Sequence, residues 1–272
     1  MIEFKNILIP VDFTVNTEIA IQKGIDLAME AEAIIHLLHV TGPGKSASGK
    51  FEVREAEENM AQWKVQIQAN NPSIRVKMHV LKSSSIQYMI IECAAMLTPD
   101  LIIIGKQNGR RYWPWATSVK PDSIARNTGC PVLTVKPGSL LRRTKVILIP
   151  IYNFFPERKL ELAILLAKKY RAQVHLLAIH GLQQEEDLSP FFLMAYNRLR
   201  EKLRVPIEYS SISRHHPVKA TVDFAERIMA DLILVNPGTE SGIRGWGRSR
   251  HISEWLTRDS KIQILDVQPF GL

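Results

Sequence analysis

One order of local structure occurs twice in this chain and limits the folds it can adopt. The stretch from Asp100 to Pro137 reads as a buried strand, a glycine-bearing basic loop, a short helix and a second buried strand, and the stretch from Asp231 to Pro269 repeats that order. A strand that leads through a glycine-rich loop into a helix brings free backbone N–H groups and the positive helix end together, which suits phosphate. The sequence therefore predicts two copies of one α/β unit, each with a candidate anion site.

The opening strands of the two halves also correspond, since ILIPVD at residues 7–12 matches ILIPIY at 147–152. Such short, nearly continuous apolar runs are typical of strands that are covered on both faces in a parallel sheet. Segments with helical spacing of apolar residues lie between the strands, which indicates β-α-β units with right-handed crossovers. We predict two domains, residues 1–138 and 143–272.

Composition argues against several classes of protein. The contents of 46% hydrophobic and 23% charged residues are typical of a globular protein. No apolar run approaches the roughly 18 residues needed to cross a bilayer, and the N-terminal residues lack the pattern of a secretory signal, so we expect a cytoplasmic protein without a membrane partner. Cys93 and Cys130 lack the number and spacing of a disulfide framework or zinc site and are predicted to be buried free thiols. The eight histidines show no metal-ligand spacing and are expected in the core or in solvent.

The net charge of +8 is concentrated in the second half of the chain. Residues 141–272 hold 20 Lys and Arg against 14 Asp and Glu, a net charge of +6. This excess favours an anionic partner for that half. Nucleic acid is not favoured, because the sequence contains no helix-turn-helix, RNP or Cys/His finger pattern.

The sequence gives no support for catalysis. The loop Thr41–Lys50 ends like a phosphate-binding P-loop but lacks the earlier glycine in register, so a mobile linker followed by a helix from Phe51 is the preferred interpretation. No G-x-S-x-G, HEXXH, HIGH/KMSKS or SGGxDS motif occurs. We expect a binding protein rather than an enzyme, with weak ATP hydrolysis left open.

With these residues in view, the whole chain resembles tandem two-domain members of the universal stress protein family. The features that carry the resemblance are the strand ILIPVDFT with Asp12, the strand LLHV at residues 37–40, and the DLIIIG…IAR…CPVLTV ending of the first half. The resemblance implies a doubly wound, five-stranded parallel sheet in each domain, akin to the adenine nucleotide alpha hydrolase group. It also implies an internal pseudo-dimer of the two domains and a role in stress response.

The resemblance further implies a nucleotide site at the carboxyl ends of the strands. In nucleotide-binding members an Asp after strand one contacts the nucleoside, as Asp12 would here, and a G-x2-G-x9-G-[ST] loop after strand four wraps the phosphates. The present loop departs from this pattern, with G-x3-G spacing and with Ser118–Val119 at the Gly-[ST] position. The candidate residues for ATP or another adenine nucleotide in domain 1 are Asp12, Val40, Gly105, Lys106, Gly109, Arg110, Ser118 and Val119.

Domain 2 departs further, because Tyr152 stands in place of the Asp and Arg250–His251 in place of Gly-[ST]. Its candidate anion-binding residues are Gly242, Gly245, Arg248 and Arg250, within a basic stretch that begins at Arg244.

Two alternatives to nucleotide binding remain open at this point. Asp12 is also a good residue for capping the following helix or turn. The large aromatic residues of the two corresponding loops suggest either a contact surface, for a protein partner or a second copy, or a base-stacking platform. These aromatic residues are Tyr112, Trp113, Trp115 and Trp246.

Overall fold

A computed structural model describes residues 3–28, 32–42, 47–106, 119–136, 138–139, 143–152, 154–180, 188–213, 217–238, 252, 255–256 and 260–269. The chain divides into two compact units, unit 1 (Glu3–Leu140) and unit 2 (Leu141–Leu272). Within the described ranges, no helix is both long and apolar enough to cross a membrane.

Unit 1 alternates strands and helices along the chain. Its elements are β1 (Asn6–Pro10), α1 (Val15–Ala28), β2 (Ile34–Thr41), α2 (Ala47–Asn70), β3 (Arg75–Lys82), α3 (Ile86–Leu97), β4 (Leu101–Gly105), α4 (Pro121–Thr128) and β5 (Val132–Val135).

The strands of unit 1 form a parallel sheet in the order β3, β2, β1, β4, β5. Helices α3 and α4 cover one face, where Leu8 and Ile102 pack against Ile90. Helix α1 covers the other face, where Gly24 lies against Ile9 and Ile103. The central strands are nearly continuous apolar runs because helices cover both faces of the sheet. The predicted α/β class with a doubly wound, five-stranded parallel sheet is confirmed.

Unit 2 repeats the plan with β6 (Val146–Ile151), α5 (Glu157–Tyr170), β7 (Gln173–His180), α6 (Pro190–Lys202), β8 (Ile207–Ser213), α7 (Pro217–Arg227), β9 (Leu232–Val235) and β10 (Gln263–Asp266). Its parallel strands follow the order β10, β9, β6, β7, β8. The short helix predicted within the stretch from Asp231 to Pro269 falls mostly outside the described residues.

The start of α2 differs from the prediction. We expected a linker through Lys50, but the helix begins at Ala47 and passes through Gly49. Glycine within a helix costs only about 1 kcal/mol relative to alanine. The other residues of this 24-residue helix offset that free energy, so a single glycine does not end the helix.

The aspartates that open the repeated stretches have a structural role. The backbone N–H groups of Lys5 and Asn6 donate to Asp100 Oδ2 at 3.0 and 2.9 Å. In unit 2, the N–H groups of Lys145 and Val146 donate to Asp231 Oδ2 at 2.7 and 3.0 Å. Each carboxylate therefore fixes the start of one central strand beside the start of its neighbour, which explains why both copies begin with Asp.

The two cysteines are free and buried, as predicted. Cys93 is a residue of α3 and belongs to the core on the buried face of that helix, where burial raises the pKa of its thiol. Cys130 Sγ donates to the carbonyl of Pro99 at 3.1 Å. Both side chains therefore serve packing.

Candidate functional site

The candidate site of unit 1 lies at the carboxyl ends of β1 and β4. The strand order reverses between these two neighbours, because β2 lies on one side of β1 and β4 on the other. In doubly wound sheets the crevice at such a reversal is the usual position for a ligand. Asp12 follows β1, and Gly105 ends β4, so the fold brings these two candidates to the same edge.

Asp12 is exposed and its orientation is fixed by one of its carboxylate oxygens. Oδ1 accepts hydrogen bonds from Thr14 N at 3.1 Å, Thr14 Oγ1 at 2.6 Å and Thr17 Oγ1 at 2.6 Å. The Asp12 N–H donates in return to Thr17 Oγ1 at 3.0 Å. These bonds cap the turn that leads into α1, as one of the two readings of Asp12 predicted. Oδ2 accepts no hydrogen bond from the described residues, so the same side chain also presents an open acceptor.

An aromatic group that the sequence did not reveal lies beside Asp12. Phe13 has a φ of 57°, and its ring lies 4.6 Å from that of His39 and 5.4 Å from that of Trp63, centroid to centroid, the latter pair being stacked. All three side chains are half-buried. Only the position of Phe13 directly after Asp12 gave any signal, because Trp63 comes from the distant helix α2.

His39 also has a defined protonation state. Its Nδ1 lies 2.9 Å from the carbonyl oxygen of Val11, which only accepts, so Nδ1 carries the proton. Burial lowers the pKa of His39. The neutral ring therefore connects the end of β2 to the residue after β1 through a hydrogen bond. The same ring also packs against Phe13.

Gly105 has a packing role that is sufficient to require glycine. A Cβ at this position would lie 2.6 Å from the carbonyl carbon of Asn16 and would overlap its oxygen. The first turn of α1 therefore approaches the end of β4 as closely as a backbone without a side chain allows. Asn16 is buried there, and its Oδ1 accepts no hydrogen bond from the described residues.

The other candidates of unit 1 are placed differently. The side chain of Val40 is buried in the core, so only its main chain remains to meet a ligand. Val119 packs against the same core cluster. The Lys106 N–H donates to the Val135 carbonyl at 2.9 Å, which continues the pairing of β4 with β5.

The remaining predicted site residues lie outside the described part of the chain. They are Gly109, Arg110 and Ser118 in unit 1, and Gly242, Gly245, Arg248 and Arg250 in unit 2. The same holds for the aromatic residues Tyr112, Trp113, Trp115 and Trp246, whose proposed contact surface stays a prediction.

The corresponding edge of unit 2 carries different chemistry. Tyr152 stands where unit 1 has Asp12, and its half-buried ring packs against the hydrophobic core. Asn236, which is 2% exposed, stands where unit 1 has Gly105. Lys159 is 1% exposed, and its Nζ donates to the Pro150 carbonyl at the end of β6 at 2.7 Å. Asp266, at the end of β10, is fully buried. Unit 2 therefore buries polar side chains where unit 1 exposes a carboxylate.

A pair of histidines lies away from this edge, on the face of the unit 1 sheet that α3 covers. Asn6 Nδ2 donates to the Leu97 carbonyl at 2.5 Å, which leaves Asn6 Oδ1 to accept from His36 Nε2 at 2.7 Å. His36 Nδ1 must then accept from His79 Nε2, at 2.9 Å. Burial, with smaller effects of His79 and Lys77, lowers the pKa of His36 to about 4. Among the described residues no cluster of three or more His, Cys, Asp or Glu is placed to hold a metal ion.

The histidine pair predicts acid sensitivity. Because the pKa of His36 lies near 4 in the folded protein and near 6.5 when unfolded, the unfolded chain binds the extra proton between these values. Unit 1 should thus keep its full stability above about pH 6.5 and lose roughly 3 kcal/mol as the pH falls toward 4. Denaturant unfolding at several pH values measures this loss, and hydrogen exchange of the β2 amides assigns it to unit 1. His36→Leu should be less stable at neutral pH but show a flatter pH profile, and an equally steep profile would contradict the assignment.

Comparison with known proteins gives the family. Residues 3–136 match the sequence model of the universal stress protein family, whereas no curated protein matches the chain. The fold is similar to that of a universal stress protein from Archaeoglobus fulgidus, with a TM-score of 0.69, 16% identity and coverage of 98% of this chain and 99% of that chain. The fold is also similar to that of a functionally unknown protein from Pseudomonas aeruginosa, with a TM-score of 0.61 and 18% identity. The match covers 98% of this chain and 93% of that chain.

The cytoplasmic domain of a prokaryotic cation chloride cotransporter gives a TM-score of 0.57 and 12% identity, with coverage of 97% of this chain and 95% of that chain. At these identities the structures establish a shared fold, and the family model supplies the relationship. The chain belongs to the universal stress protein family.

Proposed function

We propose that this protein acts in stress response by binding an adenine nucleotide, ATP or a relative of it, at the carboxyl ends of β1 and β4 in unit 1. The observation that carries the proposal is the geometry of Asp12. One carboxylate oxygen is held by three hydrogen bonds, and the other accepts none from the described residues. The carboxylate is therefore oriented before a ligand arrives, which reduces the entropy lost on binding.

Neighbouring groups suit a nucleoside. A ribose hydroxyl can donate to Asp12 Oδ2, and a charge-assisted hydrogen bond of this kind is worth about 1.5–3 kcal/mol. The half-buried rings of Phe13, His39 and Trp63 form an apolar wall next to it. These groups favour a ligand that combines hydroxyl donors with a flat apolar part.

The close approach of α1 to β4 supports an anionic group at the same edge. The packing of Asn16 against Gly105 puts the first turn of α1 beside the strand end. The first N–H groups of a helix are not used within the helix, and its N-terminus favours negative charge. We propose that the phosphates lie on the side of β4, with Lys106 and Arg110 as the basic residues that offset their charge.

Unit 2 is proposed to have lost this activity. Tyr152 packs against the core and offers no carboxylate. The side chains of Lys159 and Asp266 are buried. We propose one nucleotide per chain, with unit 2 as a degenerate copy whose basic residues Arg248 and Arg250 are the alternative anion site. Binding, rather than catalysis, is the proposed mode of action.

Substitutions at Asp12 test the proposal. Saturating ATP–Mg, at about 100 times its Kd, should stabilise the wild-type protein by about 2.7 kcal/mol. Asp12→Asn keeps an oxygen to cap the turn but replaces the open acceptor by an amide, so stability should persist while the response to ATP–Mg is lost. Asp12→Ala should lose the response and also about 1 kcal/mol of stability, because the cap is gone. The measurement is thermal unfolding with and without ATP–Mg.

Glu18→Gln is the matched control, because it removes an exposed negative charge from the first turn of α1. It should respond to ATP–Mg at least as strongly as the wild type, because it removes a negative charge near the proposed phosphate position. A normal response in Asp12→Asn would show that Asp12 only caps the turn, and the proposed site would then be wrong.

A further inference from the structure

Within the described part of the chain, β8 is the outer strand of unit 2. Among the described residues, β8 pairs only with β7 and ends the strand order of that unit. The N–H of Val174 in β7 donates to the Pro206 carbonyl at 3.0 Å. In a parallel pair, the residues whose N–H and C=O face the neighbouring strand alternate. Glu208, Ser210 and Ile212 therefore pair with β7, while the backbone groups of Ile207, Tyr209 and Ser211 point away from it.

The outer strand of unit 1 is protected against pairing, and β8 is not. Along β3 the exposed side chains include Arg75, Lys77 and Lys82. Basic residues on an edge strand are a common means of preventing two edges from joining. Over seven residues, β8 has a single charged side chain, Glu208, which lies 3.5 Å from His175. The edge of β8 therefore lacks the basic side chains that oppose edge-to-edge pairing at β3.

An exposed apolar surface adjoins this edge. Tyr209 is 54% exposed although its ring contacts those of Phe192 and Tyr196 in α6. Leu193, 48% exposed, is three residues before Tyr196 and so lies beside it on the helix surface. Arg200 lies over the Tyr196 ring at 5.8 Å. The open backbone groups of β8 thus have an aromatic surface next to them.

We infer that β8 pairs antiparallel with β8 of a second copy of this chain. With the two-fold axis at Ser210, Tyr209 lies opposite Ser211 of the second copy, so residues with outward backbone groups meet. Glu208 lies opposite Ile212, and the only charge of the strand never faces its own copy. The two Tyr209 side chains lie on one face at the diagonal spacing that aromatic rings can bridge. The strand is complementary to itself in backbone, charge and aromatic contact, which favours a second copy over an unrelated peptide.

The oligomeric state of the full chain tests this inference. Light scattering after gel filtration should give about twice 30.9 kDa at micromolar concentration for the wild type. Ser211→Pro removes an outward N–H without removing a bond to β7, and Ser211→Lys adds a charge at the same place. Both should halve the mass while circular dichroism stays that of the wild type. If the proline variant fails to fold, the lysine variant decides.

Met78→Pro is the matched control on the edge of β3. The N–H of Arg75 donates to Ala33 at 2.9 Å, so by the same alternation Met78 points its N–H outward. This variant should remain a dimer. A monomeric wild type overturns the inference, including one that adds an extended peptide at β8. A dimer that survives in both folded Ser211 variants, or is lost in folded Met78→Pro, overturns it as well.

Discussion

Replacing Gly105 by alanine is expected to destabilise unit 1 by about 3 kcal/mol or more, the upper range for overpacked positions. The new methyl group would overlap the backbone of Asn16, and neither neighbour can yield by rotating a side chain. The first turn of α1 would have to move away from β4. Because Asp12 is hydrogen-bonded to Thr14 and Thr17 at that turn, the candidate site should be distorted together with the fold.

Gly129→Ala is the control for this effect. Gly129 has a φ of 66°, yet a Cβ there has no atom within 4 Å. Alanine should therefore cost only the roughly 1–2 kcal/mol of a left-handed backbone. Denaturant unfolding combined with hydrogen exchange of β1 and β4 separates the two variants. Equal losses would contradict the close approach of α1 to β4.

The second large effect is expected at Lys159, where alanine should destabilise unit 2 by about 3 kcal/mol or more. The substitution leaves a cavity in place of a buried side chain and removes the hydrogen bond to the Pro150 carbonyl. The Pro150 carbonyl would then lack this donor, and a buried acceptor left unsatisfied costs about 1–3 kcal/mol.

Lys168→Ala is the matched control, since Lys168 is an exposed residue in the last turn of the same helix. Its removal should change stability by less than about 0.5 kcal/mol. Hydrogen exchange of β6 and β9 measures both variants within unit 2. A small effect at Lys159 would mean that its amino group is not held in the interior.

The strands and their parallel pairing could be predicted because their signals are local, whereas the five-stranded, doubly wound sheet was implied by the family resemblance. Runs such as ILIPVD and DLIIIG are apolar on both faces, which leaves few alternatives to a covered parallel sheet. The start of α2 could not be placed, because Gly49 has the same appearance in a loop and in a long helix. Lys159 was not singled out either, since a lysine in an amphipathic helix is usually exposed.

The candidate site was predictable only in part. The family resemblance implied Asp12 as a nucleoside contact, and its position after β1 favoured a capping role; the structure shows it capping the turn while its other oxygen accepts no hydrogen bond from the described residues. The rings of Phe13, His39 and Trp63 come together through the packing of α2, and His36 meets His79 only because of the register of β2 and β3. Local sequence determines neither the packing of α2 nor the register of β2 and β3, so these groups could not be found without the fold. The glycine of Gly105 was attributed to phosphate binding, whereas its contact with Asn16 already requires it.

The proposal that unit 1 alone binds an adenine nucleotide is tested most directly by calorimetric titration of ATP–Mg into the full chain. The wild type and Glu18→Gln should each bind one nucleotide per chain, and Asp12→Asn should release no heat of binding. Absence of binding to the wild type, two equivalent sites per chain, or unchanged binding to Asp12→Asn would each contradict it.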